Sequence, residues 1–286
     1  MSEFRRIGVV GCGVMGAGFT EVVARAGLDV TVLVRGEKAI DRGMERLLRS
    51  LERAVRKGKI SGHDRDAAMQ RVSFATRAKA LHDRQLVVEA VGESLDDKRR
   101  VLAELDDVVQ DPDAVLASST SSIPISKLGQ GTRDPGRLVG VHFFNPAPVM
   151  PLVELVGSLP TRAATLDRVE SFLTTTLGKQ VVRAKDQPGF IVNALLVPYL
   201  LAAVRMLEAG AASAEEIDQG MTLGCGHPMG PLALIDLIGL DTIASIGEAM
   251  YAELKEPLYA PPSLLLRMLE SGLLGRKSGQ GFHLYA

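Results

Sequence analysis

The chain has 286 residues, 46% of them hydrophobic and 23% charged, and a formal net charge of -1. That length suits one large domain or two ordinary ones, and so nearly neutral a chain has no general attraction for nucleic acid or an anionic membrane. Its two cysteines, Cys12 and Cys225, form no metal-ligand or redox spacing; no metal is expected, and such low cysteine use fits a reducing, cytoplasmic compartment.

The first residues, MSEFRR, lead straight into a strand at 7–10, with no apolar stretch and small-residue cleavage site, so no secretory signal is predicted. The string Gly11-Cys12-Gly13-Val14-Met15-Gly16 follows that strand and opens a helix predicted over 14–27. In a GxGxxG turn the first glycine permits the tight bend, the second lets a pyrophosphate approach the backbone, and the third lets helix and strand pack closely. The free N–H groups and dipole of the helix start favour the same anion. Cys12 reads as a small buried filler.

A second strand, 29–34, runs into Arg35. An acidic residue usually ends this strand in NAD-binding units and holds the ribose hydroxyls. Arg35 instead suits a 2′-phosphate by charge and by its planar fork. The competing readings are that Arg35 stacks on adenine or faces solvent, with Glu37 meeting the ribose. The helix predicted over 39–57 carries Arg46, Arg49, Arg53 and Arg56 or Lys57 at three- and four-residue spacing, one basic face. It reads either as solvated surface balanced by Glu45 and Glu52, or as a landing strip for the phosphates of coenzyme A or a phosphopantetheine arm.

Strands at 86–91, 114–118, 138–144, 152–157 and 179–184 follow, with helices at 95–110 and 163–177. Alternation of this kind predicts an α/β fold, a doubly wound parallel sheet. Lys98, on the helix at 95–110, reads as a surface residue. Three polar elements interrupt the apolar strands: Ser118-Ser119-Thr120-Ser121-Ser122, His142 in HFFNP, and Glu154 in LVELVG. Ligands of doubly wound sheets bind beyond the carboxyl ends of the strands, where the Ser/Thr cluster and His142 fall. A histidine suits proton transfer at neutral pH, and Glu154 is a candidate carboxylate to orient it. A hydrogen-bonded core histidine is the competing reading.

After Lys185-Asp186-Gln187-Pro188-Gly189 the period becomes helical, broken at 226–231 and 256–262. Two domains are therefore predicted: 1–185, built on the sheet, and 186–286, all-helical. The apolar segment 190–207 is interrupted by Asn193, Pro198 and Arg205 and reads as a buried helix rather than a membrane span.

Taken together, GVVGCGVMGAG (8–18), LVVEAVGESLDDK (86–98), STSSIPIS (119–126), GVHFFNPAPVMPLVELV (140–156), DQPGFIVNALLVPYL (186–200), LGCGHPMGPLALIDLIGLD (223–241) and GRKSGQGFHLY (275–285) resemble the 3-hydroxyacyl-CoA dehydrogenases, including the bacterial 3-hydroxybutyryl-CoA dehydrogenases, over essentially the whole chain. The resemblance implies a Rossmann domain, a helical second domain that builds a homodimer, and NAD or NADP as cofactor. It implies His142 as catalytic base and Glu154 as its carboxylate partner. Ser121 and Asn193 would contact the substrate's C3 oxygen in a crevice between the domains, with Asn145 nearby. Glu89 would lie near the nicotinamide and ribose, and Lys57 and Lys59 where family members bring basic side chains toward coenzyme A.

Two positions depart from the pattern. Ser119-Thr120-Ser121 stands where many members read Asn-Thr-Ser, and Arg35 where an aspartate commonly sits. The expected substrate is a short-chain acyl thioester such as 3-hydroxybutyryl-CoA. The alternatives are the same chemistry on a carrier protein, and a non-catalytic structural protein that keeps the dinucleotide fold.

Overall fold

A computed structural model describes residues 4–285. The chain divides into two compact units, one ending at Asp186 and the other beginning at Gln187.

The first unit holds β1 (Arg6–Val10), α1 (Val14–Arg25), β2 (Asp29–Leu33), α2 (Glu37–Arg56), α3 (Gly62–Gln70), β3 (Val72–Ala75), β4 (Leu86–Glu89), α4 (Leu95–Val108), β5 (Val115–Ser118), α5 (Ile125–Gly129), β6 (Leu138–Phe143), β7 (Leu152–Gly157), α6 (Ala163–Ser171) and β8 (Gln180–Lys185). The strands form one sheet in the order β3-β2-β1-β4-β5-β6-β7-β8. All neighbours pair in parallel except β6 and β7, which run antiparallel. The chain order reverses between β1 and β4, which is the ligand-binding switch point of a doubly wound sheet.

The central strands carry uninterrupted apolar residues because helices cover both faces. Ile7, Val9, Val30, Val32, Val88, Val115 and Val139 are all buried in one core with Phe19, Val23, Leu47 and Leu51 of α1 and α2. The last strand, β8, lies at the sheet edge and exposes Gln180, Arg183 and Lys185, charges and amides that discourage further pairing. Asp186 ends this unit by capping α5, its carboxylate accepting from the N–H groups of Ile125 and Ser126 (2.8 Å to the latter).

Three elements here lie outside the sequence expectation: α3, β3 and the five-residue α5. β3 is only four residues long, with Val72 and Phe74 partly buried against the core, too short a run to stand out; pairing with β2 holds it. α3 is mostly polar but carries a capping box, in which Ser61 and Asp64 satisfy each other's backbone N–H groups. The helix expected over 163–177 is α-helical only to Ser171 and widens to a π-turn over Phe172–Thr176. Phe172 and Leu173 are both buried there.

The second unit holds α7 (Val192–Glu208), α8 (Ala214–Cys225), α9 (Pro231–Ile238), α10 (Leu240–Leu254) and α11 (Ser263–Glu270). Val197, Leu200, Leu201, Val204, Leu232, Ile235, Ile243 and Leu265 form its own core. Asp218 accepts from the N–H groups of Leu232 and Ala233 at the start of α9 (2.8 and 2.9 Å). Asp236 accepts from the N–H groups of Phe282 and His283 and from the Tyr285 hydroxyl, each at 2.9 Å, and so ties down residues 282–285. Among the described residues no helix is long and apolar enough to cross a membrane.

Candidate active site

The glycine loop has the geometry its spacing predicts. Gly11 has a φ of 93°, and a Cβ there would lie 2.7 Å from the Ala90 carbonyl oxygen; a Cβ on Gly16 would lie 2.1 Å from the Gly11 carbonyl oxygen. A Cβ on Gly13 would meet no protein atom within 4 Å, so what its absence keeps clear is space outside the chain. α1 starts at Val14 with no acidic residue in its first turn and no side-chain cap, which leaves its N–H groups to an incoming anion. Val14 is exposed, whereas Met15 packs partly buried against the core. Cys12 is buried; burial pushes its thiol pKa up, against the opposing pull of Arg46.

A cavity of about 690 Å³ opens beside this loop, lined by Gly11, Gly13, Val34, Arg35, Arg42, Arg46, the turn Ala90–Gly92, Asp97 and Glu104. Arg35 thus faces the cavity from the end of β2, joined by Arg42 and Arg46 one and two turns into α2. Glu37, the alternative ribose contact, is exposed in the first turn of α2 and does not line the cavity. Arg46 also donates to the Cys12 carbonyl and so couples α2 to the phosphate loop.

The second cluster sits at the antiparallel pair. His142 and Glu154 are register partners on β6 and β7, so their side chains emerge on one face of the sheet. The His142 Nδ1 lies 2.7 Å from Glu154 Oε2, with both side chains buried. The imidazole packs edge-on against Phe144, ring centroids 4.7 Å apart. The following loop is anchored by Lys179, whose ammonium donates to the carbonyls of Ala147 (2.7 Å) and Met150 (2.8 Å). Burial first, and the neighbouring Arg25 second, hold the Lys179 pKa below the usual lysine range.

Asn145 is exposed on this loop and lines a cleft of about 370 Å³ together with Val14, Arg46, Arg49, Ser50 and Arg53. The basic face of α2 is therefore the wall of a cleft beside the His142 strand, not only a solvated surface. Lys57 is exposed at the end of α2, and neither it nor Lys59 lines either cavity. Asn193 is buried in the first turn of α7, in the second unit, just after Phe190, which takes a left-handed conformation (φ 48°).

Two expectations change at the end of β4. Lys98 is not at the surface: it is fully buried, its ammonium 2.9 and 3.1 Å from the two Glu89 oxygens and 3.3 Å from Glu93 Oε2. Two carboxylates offset the cost of removing that charge from water. Glu89, expected beside the cofactor, is equally buried. It accepts from Lys98, from the Val91 N–H (2.7 Å) and from the Ser118 hydroxyl (2.7 Å), as the terminal residue of a strand enclosed on both faces.

The carboxylate that reaches past the strand end belongs to Glu93, four residues on, with its side chain one-third exposed. Its Oε1 accepts from the Ser121 N–H (2.9 Å), the Ser122 N–H (3.2 Å), the Ser122 hydroxyl (3.1 Å) and the Thr120 hydroxyl. Burial pushes its pKa up, but the Lys98 charge and these hydrogen bonds outweigh that and hold it below the usual glutamate range. Glu93 is the residue that sequence reasoning misses, though it stands inside the quoted string LVVEAVGESLDDK. Its place past the strand end, on the turn between β4 and α4, is the sequence signal that points to it.

Comparison with known proteins yields a consistent set. Residues 6–187 match the model of the 3-hydroxyacyl-CoA dehydrogenase NAD binding domain, and 189–285 that of the 3-hydroxyacyl-CoA dehydrogenase C-terminal domain. A 3-hydroxybutyryl-CoA dehydrogenase of Mycobacterium tuberculosis is 56% identical over 281 residues, 98% of each chain. A probable 3-hydroxybutyryl-CoA dehydrogenase of Deinococcus radiodurans is 40% identical, covering 98% of this chain and all of its own. Among solved structures, FadB2 of M. tuberculosis superposes with a TM-score of 0.98 at 56% identity over 99% of both chains. The (S)-3-hydroxybutyryl-CoA dehydrogenase of Ralstonia eutropha gives 0.93 at 41% identity, over 99% of this chain and all of that one.

Proposed function

The chain belongs to the 3-hydroxyacyl-CoA dehydrogenase family, and from that premise we propose that it interconverts a short-chain 3-hydroxyacyl-CoA and the 3-oxoacyl-CoA, with His142 as the proton-transferring base. The observation that carries this reading is the buried His142–Glu154 pair at the carboxyl end of a doubly wound sheet.

The residues at the glycine loop fit a dinucleotide: Gly11, Gly13 and Gly16 with the α1 N-terminus would hold its diphosphate. When bound, the nicotinamide supplies the hydride acceptor or donor. The chain does the rest. His142 takes the proton of the C3 hydroxyl in the oxidative direction and returns it in the reductive one. Glu154 holds the Nδ1 side of the ring, fixes its tautomer and stabilises the imidazolium. The Ser121 hydroxyl orients the substrate oxygen; the matching role of Asn193 rests on the family resemblance. The cleft walled by Arg46, Arg49 and Arg53 supplies positive charge for the phosphates of coenzyme A. The short acyl chain and the preference for coenzyme A over a carrier protein rest on the names of the full-length relatives.

NAD(H) is the cofactor of the matched domain family. We further propose that NADP(H) is accepted, because Arg35 and Arg42 line the cavity where an acidic side chain would repel a 2′-phosphate. Initial rates of acetoacetyl-CoA reduction with NADH and NADPH at equal low concentration test both proposals. The expected result is turnover with either, and an Arg35→Asp variant that loses about ten- to a hundredfold with NADPH alone, the worth of one charged hydrogen bond. No turnover of acetoacetyl-CoA would contradict the substrate; an NADH preference of about tenfold or more would remove the phosphate contact.

A further inference from the structure

The loop after β5 carries the Ser121 hydroxyl, and its first residue, Ser119, is tied to β4 by an N–H bond to the Glu89 carbonyl (2.9 Å). The loop lies between the end of β5 at Ser118 and the start of α5 at Ile125. Beyond Ser119, the loop converges on one carboxylate oxygen from the β4–α4 turn. Glu93 Oε1 accepts from the Ser121 N–H, the Ser122 N–H and the Ser122 and Thr120 hydroxyls, spanning three consecutive loop residues. The Thr120 hydroxyl in turn accepts from the N–H groups of Ser122 (3.3 Å) and Ile123 (2.9 Å). Lys98 fixes the other Glu93 oxygen at 3.3 Å and is itself locked by Glu89, which also takes the Ser118 hydroxyl at the root of the loop.

From this geometry we infer that Glu93 is a positioning residue for the reaction: it sets the backbone at Ser121 and thereby aims the Ser121 hydroxyl at the substrate oxygen. The inference rests on the assignment of Ser121 made above. The chemistry supports a carboxylate in particular. An ionised carboxylate oxygen accepts without competing as a donor, and bonds to a charged acceptor are about twice as strong as neutral ones. Because the Ser121 N–H is engaged by Glu93, its hydroxyl is the group that remains for substrate, and its direction depends on how that peptide is held. A displacement of about 1 Å at such a group can cost on the order of a hundredfold in rate.

A double-mutant cycle on the full-length protein with NADH and acetoacetyl-CoA tests the inference. Glu93→Ala and Ser121→Ala should each lower kcat/KM by about ten- to a hundredfold. In the Ser121→Ala background the Glu93 change should cost only about twofold more, since its route to substrate is gone. NADH affinity, read by fluorescence titration, should be the same in all four proteins. Glu93→Gln carries the same cycle should the alanine variant not fold, with thermal unfolding as the check. Additive losses, or a shift in NADH affinity on changing Glu93, would overturn the positioning role while leaving Ser121 in place. A Ser121→Ala variant as fast as the parent would overturn the Ser121 assignment itself, and this inference with it.

Discussion

At the scale of single residues, the hydrogen bond that the His142 Nδ1–H donates to Glu154 decides which ring nitrogen can exchange a proton with a ligand. A buried imidazole with one nitrogen held by a carboxylate keeps one tautomer and gains stability when it becomes positive. Glu154→Gln preserves the shape but can offer its NH₂ or its oxygen to Nδ1, and it removes the charge. We expect kcat to fall by about 10²- to 10⁴-fold, with NADH affinity unchanged by fluorescence titration. A loss under about threefold would mean that the pair is structural. Both residues are legible in the sequence as single polar positions inside apolar strands, and the HFFNP and LVELV strings place them. Glu89 shows the limit of that reading. A carboxylate ending a strand is equally conspicuous whether it points at a ligand or into the protein, and only the positions of Lys98 and Ser118 separate the two cases.

At the scale of elements, the β4–α4 connection organises the site more than either element does. Lys98 lies in the first turn of α4, where an isolated helix gains nothing from a cation. Its burial is explained by Glu89 and Glu93 on the turn it folds back against. Removing one partner of such a cluster leaves charge buried and uncompensated, so Lys98→Met should cost about 3–5 kcal/mol in stability. Urea unfolding monitored on the first unit's sheet reads this directly; a loss below about 1 kcal/mol would show that water reaches the carboxylates readily. Propensity assigns Lys98 to the surface because long cations are rarely buried unless paired, and a pair nine residues apart, across a turn, is invisible to helical spacing. β3, α5 and α3 escape for simpler reasons: β3 and α5 are four and five residues long, and α3 is mostly polar, with the capping box at Ser61 as its local sign.

At the scale of the whole molecule, the alternation of strands and helices makes the sheet legible, and the switch between β1 and β4 then places the ligand side of it. The change of period after Lys185 likewise marks where the helical residues begin. What stays outside the reach of pattern is the chemistry of the cavity walls. That Arg35, Arg42 and Arg46 converge on one cavity, and Arg46, Arg49 and Arg53 on another, follows from how α2 lies against α1, not from spacing alone. The account as a whole stands on proton transfer by His142 during hydride transfer to a 3-oxoacyl-CoA. The most direct measurement is NADH oxidation with acetoacetyl-CoA by the parent protein and by His142→Gln, with NADH binding titrated in both. The account predicts stoichiometric formation of 3-hydroxybutyryl-CoA by the parent, and a rate at least about a hundredfold lower in the variant with NADH still bound. Near-parental turnover by His142→Gln would contradict it.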